Sequence, residues 1–152
     1  MKRIALALLA SLTTACGGSY TAVTPAEAEL VGPYYDLVVD VLDARALAGC
    51  ESAAEQWAPV AAILCVDGPS GQPGALPLRV GCFVREGAYA WYYSAGWVCV
   101  RDTPQALGCA AVIPHELGHA LGVPHQPEGS GLMATPTSCD ATVTDHDLEQ
   151  VR

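Results

Sequence analysis

The chain has 152 residues, of which 51% are hydrophobic and 15% are charged. This balance excludes an intrinsically disordered chain, and the length is typical of a single domain. The formal net charge is −9, and it becomes −11 without Lys2 and Arg3, because five Lys and Arg residues then remain against 16 Asp and Glu. Such a surface repels nucleic acids and anionic lipid headgroups, so we expect no nucleic-acid partner.

The N-terminus is typical of an export signal. Lys2 and Arg3 precede a mostly apolar run over residues 4–12, which is too short to span a bilayer. Ala15 directly before Cys16 resembles the signal of bacterial lipoproteins, in which that cysteine becomes lipidated and N-terminal. Thr13 stands where such signals prefer leucine, so ordinary cleavage near Ala15 is the alternative.

These features predict a signal peptide over residues 1–15, a tether over 16–25 and a domain over 26–152. We expect an exported protein, either an outer-membrane or cell-surface lipoprotein or a periplasmic or secreted protein. Contact with a membrane is expected only through a lipid on Cys16.

The remaining cysteines favour a disulfide-stapled exported domain. Six are left when Cys16 is set aside, an even number, and no pair has the C-x-x-C spacing of a zinc ribbon. They are Cys50, Cys65, Cys82, Cys99, Cys109 and Cys139. The alternative is six buried free thiols in a cytosolic protein. Six cysteines allow fifteen pairings, and the sequence does not choose among them.

The first third of the domain, residues 26–66, is rich in Ala, Leu, Val and acidic residues and is predicted to be largely helical. Apolar residues recur from Tyr34 to Arg45 at the spacing of an amphipathic helix. Because valines weaken helices, a buried strand over residues 37–41 is the alternative. A second helix is predicted over residues 53–64, interrupted by Pro59.

The middle of the chain favours β-structure. A loop rich in Gly and Pro spans residues 67–77, and the alternation that starts at Leu78 and continues to Val84 predicts a strand. Aromatic and valine-rich runs over residues 89–93 and 97–101 predict a hairpin.

Two helices are predicted in the last third of the chain. Asp102 or Thr103 would cap the first, which has Pro104 at its first position and runs to Gly122. Because Pro114 lacks a backbone N–H, that helix either bends there or starts later. After a loop over residues 124–140, Thr144 would cap a short helix over 145–151, with Asp147 completing a partial capping box.

The most informative stretch reads HELGHALGVPH, from His115 to His125. Two histidines four residues apart lie on one face of a helix, so His115 and His119 can bind one ion. Zn²⁺ binds neutral imidazole nitrogens and keeps a fourth position for water in catalytic sites, beside which Glu116 is the candidate general base. Gly122 accepts the left-handed conformation that ends the helix, so that His125 can supply the third ligand.

The long motif H-E-x-x-H-x-x-G-x-x-H is matched at every specified position, and the chain resembles the metzincin clan of zinc endopeptidases. That clan also has a tight turn with a methionine beneath the metal, which Met133 in Gly131-Leu132-Met133-Ala134 fits; alone, this methionine would be typical of core packing. Thr135 stands where astacin-like and serralysin-like members have a tyrosine ligand, and Gln126 matches no subgroup. The chain is most similar to short, bacterial, matrixin-like members.

The resemblance implies an α+β, zincin-type fold with a twisted mixed sheet, two main helices and an irregular C-terminal subdomain that holds the methionine turn and a short terminal helix. It also implies that a bound peptide pairs with the strand before the active helix. Tyr92, Tyr93 and Trp97 would then supply side-chain pockets, although core packing is the alternative for each of them. Thr135, within residues 134–137, would form the wall of the pocket beyond the scissile bond.

The sequence therefore predicts a monomeric endopeptidase with Zn²⁺ as cofactor and a protein or peptide as substrate. The alternative is a non-catalytic surface lipoprotein or binding module that holds zinc, which Glu116 disfavours because a structural site needs no base. Too little chain separates Cys16 from the β-rich block for both a propeptide and a first helix, so we expect no self-inhibiting pro-segment. His146 is expected to be a surface residue.

Overall fold

A five-stranded mixed sheet organises the part of the chain that this computed structural model describes, residues 36–135 and 137–151. Its strands are β1 (Leu37–Val41), β2 (Ile63–Asp67), β3 (Leu76–Val80), β4 (Ala90–Tyr93) and β5 (Trp97–Val100), in the order β2-β1-β3-β5-β4. All neighbours pair in parallel except β4 and β5. The antiparallel strand β4 therefore forms an edge of the sheet. The predicted signal peptide, Cys16 and the tether lie outside the described residues.

Two longer helices cover one face of this sheet. The helices are α1 (Leu47–Trp57), α2 (Pro104–Leu107), α3 (Val112–Ala120) and α4 (Asp145–Leu148). Helices α1 and α3 cross closely because glycines lie where they meet: a Cβ on Gly49 would stand 2.5 Å from Ile113 Cδ1, and one on Gly118 would stand 2.7 Å from Trp57. The core lies between these helices and the sheet. The predicted mixed α+β fold is confirmed at this level.

Over residues 36–66 the prediction of a largely helical first third is wrong, and the alternative strand over residues 37–41 is confirmed. Residues 26–35 of that prediction lie outside the described residues. Strand β1 lies between β2 and β3 and pairs with both in parallel, so Val39 and Val41 are buried in the core. A branched side chain packs well on such a pleated surface and poorly on a helix. The predicted second helix is displaced as well, because α1 ends before Pro59 and residues 63–67 form β2.

Two further predictions need correction. The strand predicted to continue to Val84 ends at Val80, because Gly81 follows with a φ of +80° and turns the chain out of the sheet. The single helix predicted from Pro104 is divided into α2 and α3, so the alternative of a later start is confirmed. The cap on α2 is Thr103, whose hydroxyl accepts a hydrogen bond from the Ala106 N–H at 3.2 Å.

Three disulfides connect the six cysteines: Cys50 with Cys65, Cys82 with Cys99, and Cys109 with Cys139. They tie α1 to β2, the loop after β3 to β5, and the segment before α3 to the loop before α4. Such bonds are consistent with an extracellular or periplasmic protein. Over residues 36–135 and 137–151, no helix has the length and apolar character required to cross a bilayer.

Candidate metal centre and active-site cleft

Helix α3 carries the first two histidines of the motif, and its first turn explains how it accommodates Pro114. Pro114 is the third residue of α3, where a helix has no partner for the backbone N–H, so the missing donor costs no hydrogen bond. Its carbonyl accepts a hydrogen bond from the indole Nε1–H of the buried Trp57 at 2.9 Å. Trp57 therefore links α1 to the turn that precedes His115.

The end of α3 turns the chain back towards the two histidines. Gly122 has a φ of +89°. Its N–H donates to the His119 carbonyl at 3.0 Å, and the next N–H, from Val123, donates to the Gly118 carbonyl at 3.0 Å. This pair of bonds is the Schellman arrangement, which needs a residue that tolerates positive φ. The predicted role of Gly122 as the turn residue agrees with this geometry.

The reversal brings His125 to the histidines of α3. The Nε2 atom of His125 lies 3.2 Å from Nε2 of His115 and 3.1 Å from Nε2 of His119. Nitrogen ligands at about 2.0–2.1 Å from a tetrahedral ion stand about 3.3 Å apart, so the three nitrogens have the spacing of a shared metal. Among the described residues, this is the group of histidine, cysteine or acidic side chains that could hold a metal ion.

The opposite ring nitrogens show which tautomers are present. The Nδ1–H of His115 donates to the Leu132 carbonyl at 2.7 Å, and the Nδ1–H of His119 donates to the Val123 carbonyl at 2.8 Å. Because a carbonyl only accepts, both Nε2 atoms of these neutral rings bear lone pairs aimed towards His125. His125 has one proton at most to share at its Nε2. One such proton satisfies the converging lone pairs less well than a cation that binds all three nitrogens. The three histidines therefore fit a metal ion.

Burial keeps the histidines of α3 neutral. It lowers the pKa of His119 to about 4, with the hydrogen bond to Val123 opposing the shift and the neighbouring rings of His115 and His125 adding to it. Burial also lowers the pKa of His115, against the hydrogen bond to Leu132. Neutral imidazole is the form that binds metals. At neutral pH these two ligands are ready to bind without losing a proton.

Glu116 lies next to the first ligand and is 8% exposed. Burial raises its pKa to about 7, and a hydrogen bond from the backbone N–H of Tyr92, at 2.6 Å, opposes that shift. A carboxyl group with a pKa near neutrality can both accept and release a proton at physiological pH. Tyr92 belongs to the edge strand β4, so this bond also holds Glu116 towards the side of the site that β4 borders.

The predicted methionine turn lies beneath the histidines. Met133 is fully buried, and a Cβ on Gly118 would stand 2.5 Å from its Sδ atom, so the methionine packs directly against α3. The preceding carbonyl, of Leu132, accepts the hydrogen bond from His115. The N–H of Gln126 in turn donates to the Met133 carbonyl at 2.8 Å. The turn therefore orients the first ligand and supports the segment of the third.

Asp147 anchors this turn, a role that the sequence did not reveal. Its buried carboxylate accepts hydrogen bonds from the backbone N–H groups of Leu132 and Met133, both at 3.1 Å. It also accepts from the N–H of Thr144 at 2.9 Å and from its hydroxyl at 2.8 Å, which confirms the predicted capping box. The capping pattern at Thr144 indicated Asp147 in the sequence. The Met133 turn lies too far away along the chain for the sequence to connect the two. Helix α4 is shorter than predicted and ends at Leu148.

An open cleft of about 970 Å³ lies in front of the three histidines. Its lining comes from the loop and edge strand over residues 86–92, from the start of α3, and from residues 134, 135 and 137. Tyr92 and Thr135 line this cleft. An open cleft at a three-nitrogen site leaves room for a substrate and for water, as a catalytic rather than a closed structural site requires.

Tyr93 and Trp97 do not line the cleft. They are paired across β4 and β5, and their rings stack with centroids 4.0 Å apart and planes within 2°. Because side chains alternate along a strand, they lie on the face of the sheet opposite to Tyr92. His146 is exposed, as expected, and its Nε2 lies 3.2 Å from the side-chain oxygen of Gln126.

No protein-family model matches this chain, and no curated protein matches it. Functional inference therefore depends on the geometry of the cleft and of the three histidines.

Proposed function

We propose that this protein is an exported zinc-dependent endopeptidase with a metzincin-like, matrixin-like fold. The observation that carries the proposal is the buried carboxyl group of Glu116 beside three converging imidazoles at an open cleft. A purely structural site would need neither the acid nor the opening. The order of histidines, the glycine with positive φ and the buried methionine agree with the pattern that the sequence resembles.

Zn²⁺ is the metal that this donor set favours among the common divalent ions, since three imidazoles suit it well and the oxygen ligands of Ca²⁺ or Mg²⁺ are missing from the triad. His115, His119 and His125 would hold it. When bound, Zn²⁺ supplies a Lewis acid that polarises the substrate carbonyl and lowers the pKa of water.

Glu116 supplies the proton transfers of the proposed hydrolysis. Its carboxylate takes a proton from the water that attacks the carbonyl carbon, and it then delivers that proton to the amide nitrogen as the C–N bond breaks. One water is thereby added across the peptide bond, giving a carboxyl group and an amine. The hydrogen bond from the Tyr92 N–H holds the other side of the carboxylate in place.

The edge strand β4 offers a place for the substrate backbone. It pairs with β5 along one side only, and it borders the cleft. A peptide can add to such an edge as a further strand, which places successive side chains alternately into and out of the cleft. Thr135, which also lines the cleft, would contact the side chain that enters next to the scissile bond.

The proposal is tested with Glu116→Gln and Glu116→Ala in zinc-loaded protein, assayed on an unstructured protein such as casein. We expect wild type to cleave casein, EDTA to stop it, and both variants to lose about 100-fold or more in kcat because general acid–base catalysis contributes that much. Zinc content, measured by atomic absorption on the same samples, should stay at one per chain. A zinc-loaded wild type that cuts neither casein nor a broad peptide library would favour the non-catalytic zinc-binding module instead.

Lipidation of Cys16 and attachment to an outer membrane or cell surface remain part of this proposal. The disulfides support only the coarser location outside the cytoplasm. Mass spectrometry of the mature N-terminus separates a lipidated Cys16 from ordinary cleavage near Ala15.

A further inference from the structure

Apart from the histidines, two charged side chains line the cleft, and both are acidic. Among the described residues, Glu86 and Glu116 line it, and no lysine or arginine does. Glu86 is exposed on the loop between β3 and β4. The ion pairs found in residues 36–135 and 137–151 both belong to Arg45, so Glu86 has no cationic partner there.

The surrounding domain is strongly negative as well. Residues 36–151 contain four arginines, no lysine and 14 Asp or Glu residues, which is a net charge of −10. Arg45 is neutralised by Asp43 and Asp102, each at 2.7 Å. Arg85, next to Glu86 in the chain, directs its guanidinium over the ring of Trp91 at 5.7 Å. A domain of this net charge concentrates ligands of the opposite sign.

Apart from these acids, the walls of the cleft are mainly apolar. Ala88 and Tyr89 belong to the loop that carries Glu86, and Ala111 and Val112 belong to the start of α3. Such walls receive apolar side chains, while an isolated carboxylate at the rim receives a positive one. Glu116 is held by Tyr92 beside the histidines, which leaves Glu86 as the carboxylate that can pair with substrate.

We infer that the cleft selects cationic polypeptides, in which a Lys or Arg side chain pairs with Glu86 and apolar side chains contact the walls. This inference depends on the proposed peptidase function and assigns Glu86 as a residue that determines specificity. The pairing at Glu86 is exposed to solvent, so its effect on kcat/KM is about two- to fivefold. Attraction by the whole domain adds a larger effect on association, which salt suppresses.

Three fluorogenic peptides test this inference. They share one cleavable core and differ in flanking residues, which are Lys, Gln or Glu, and the enzyme is the full zinc-loaded protein. At about 20 mM salt we expect kcat/KM to fall in the order Lys, Gln, Glu, by about tenfold or more overall, and the differences to shrink at about 500 mM salt.

Two matched variants separate the local charge from the total charge. Glu86→Gln should lower kcat/KM for the Lys peptide by about two- to fivefold and leave the Gln peptide nearly unchanged. Glu55→Gln removes the same charge from an exposed position on α1 outside the cleft and should change neither peptide by more than about 1.5-fold.

The outcomes distinguish failure of this inference from failure of the proposed peptidase function. Equal rates with the three peptides would overturn the selectivity, and an equal effect of Glu86→Gln and Glu55→Gln would overturn the role of Glu86. Both results would leave the peptidase function intact. If neither the peptides nor casein are cut by zinc-loaded protein, the peptidase function itself is wrong and the selectivity falls with it.

Discussion

Replacing Asp147 with asparagine should damage the metal centre from a distance. The Oδ2 atom of Asp147 accepts hydrogen bonds from three groups, the Leu132 N–H, the Thr144 N–H and the Thr144 hydroxyl, and Oδ1 accepts from the Met133 N–H. An asparagine has one acceptor oxygen and one NH₂ group, which only donates. In the less costly orientation, the new NH₂ group therefore faces the Met133 N–H, and one buried donor of the methionine turn loses its partner.

The magnitude follows from those bonds. An unsatisfied buried donor costs about 1–3 kcal/mol, and each hydrogen bond that loses its charge weakens as well. We expect the free energy of unfolding to fall by about 2–4 kcal/mol, which lowers the Tm of a domain of this size by about 10 °C. Because the Leu132 carbonyl orients His115, we also expect zinc affinity to fall by about 10- to 100-fold.

Thermal unfolding followed by circular dichroism in EDTA measures the stability, and competition with a chromophoric chelator measures the zinc affinity. Asp145→Asn is the matched control, since Asp145 is exposed at the start of the same helix and bonds to no part of the turn. Asp145→Asn should lower the free energy of unfolding by less than about 1 kcal/mol and leave zinc affinity unchanged. Equal losses in the two variants, or unchanged zinc affinity in Asp147→Asn, would refute the argument that Asp147 supports the ligand through the turn.

Three other predictions concern the same site and its support. Gly122→Ala should lower the free energy of unfolding by about 1–2 kcal/mol, as measured by chemical denaturation, and weaken zinc binding, because alanine is strained at a φ of +89°. An unchanged denaturation midpoint would show that the helix ends in another way. In EDTA, Tm should fall as the pH drops from 6.5 to 4, because burial lowers the pKa of both His119 and His115 and the unfolded chain then binds more protons at these two residues, whereas only the raised pKa of Glu116 acts in the opposite direction. His119→Gln should flatten that fall in Tm, and Glu116→Gln should steepen it. Replacing both Cys109 and Cys139 with serine opens a loop of 30 residues and should lower the free energy of unfolding by about 3–4 kcal/mol, with calorimetry as the check.

The local features of the site could be read from the sequence because each depends on neighbouring residues. The spacing of His115 and His119 follows from the helical repeat, and the turn at Gly122 follows from the conformational freedom of glycine. The hairpin around residues 94–96 and the capping box of Thr144 are equally local, and the structure confirms both. The structure also places His125 against the other two imidazoles, as the motif predicted.

The errors arise where distant segments decide the outcome. The valine-rich run from Leu37 to Val41 has apolar residues at spacings that suit a helix or a strand, and only its pairing with β2 and β3 selects the strand. The sequence left Tyr93 and Trp97 open between side-chain pockets of the cleft and core packing, and the register of β4 against β5 directs them to the face of the sheet opposite to Tyr92. Burial, which shifts the pKa of Glu116, is likewise a property of packing.

The sequence alone determined which atoms can meet around an ion, because a helical turn and a glycine reversal act over eleven residues from His115 to His125. The tertiary structure decided how those atoms are held: Leu132 orients one imidazole, Asp147 supports Leu132 from 15 residues away, and Trp57 reaches α3 across 57 residues. The physical reason is that hydrogen bonds and packing act over a few ångströms in space whatever the separation along the chain. Folding alone brings such groups within that distance.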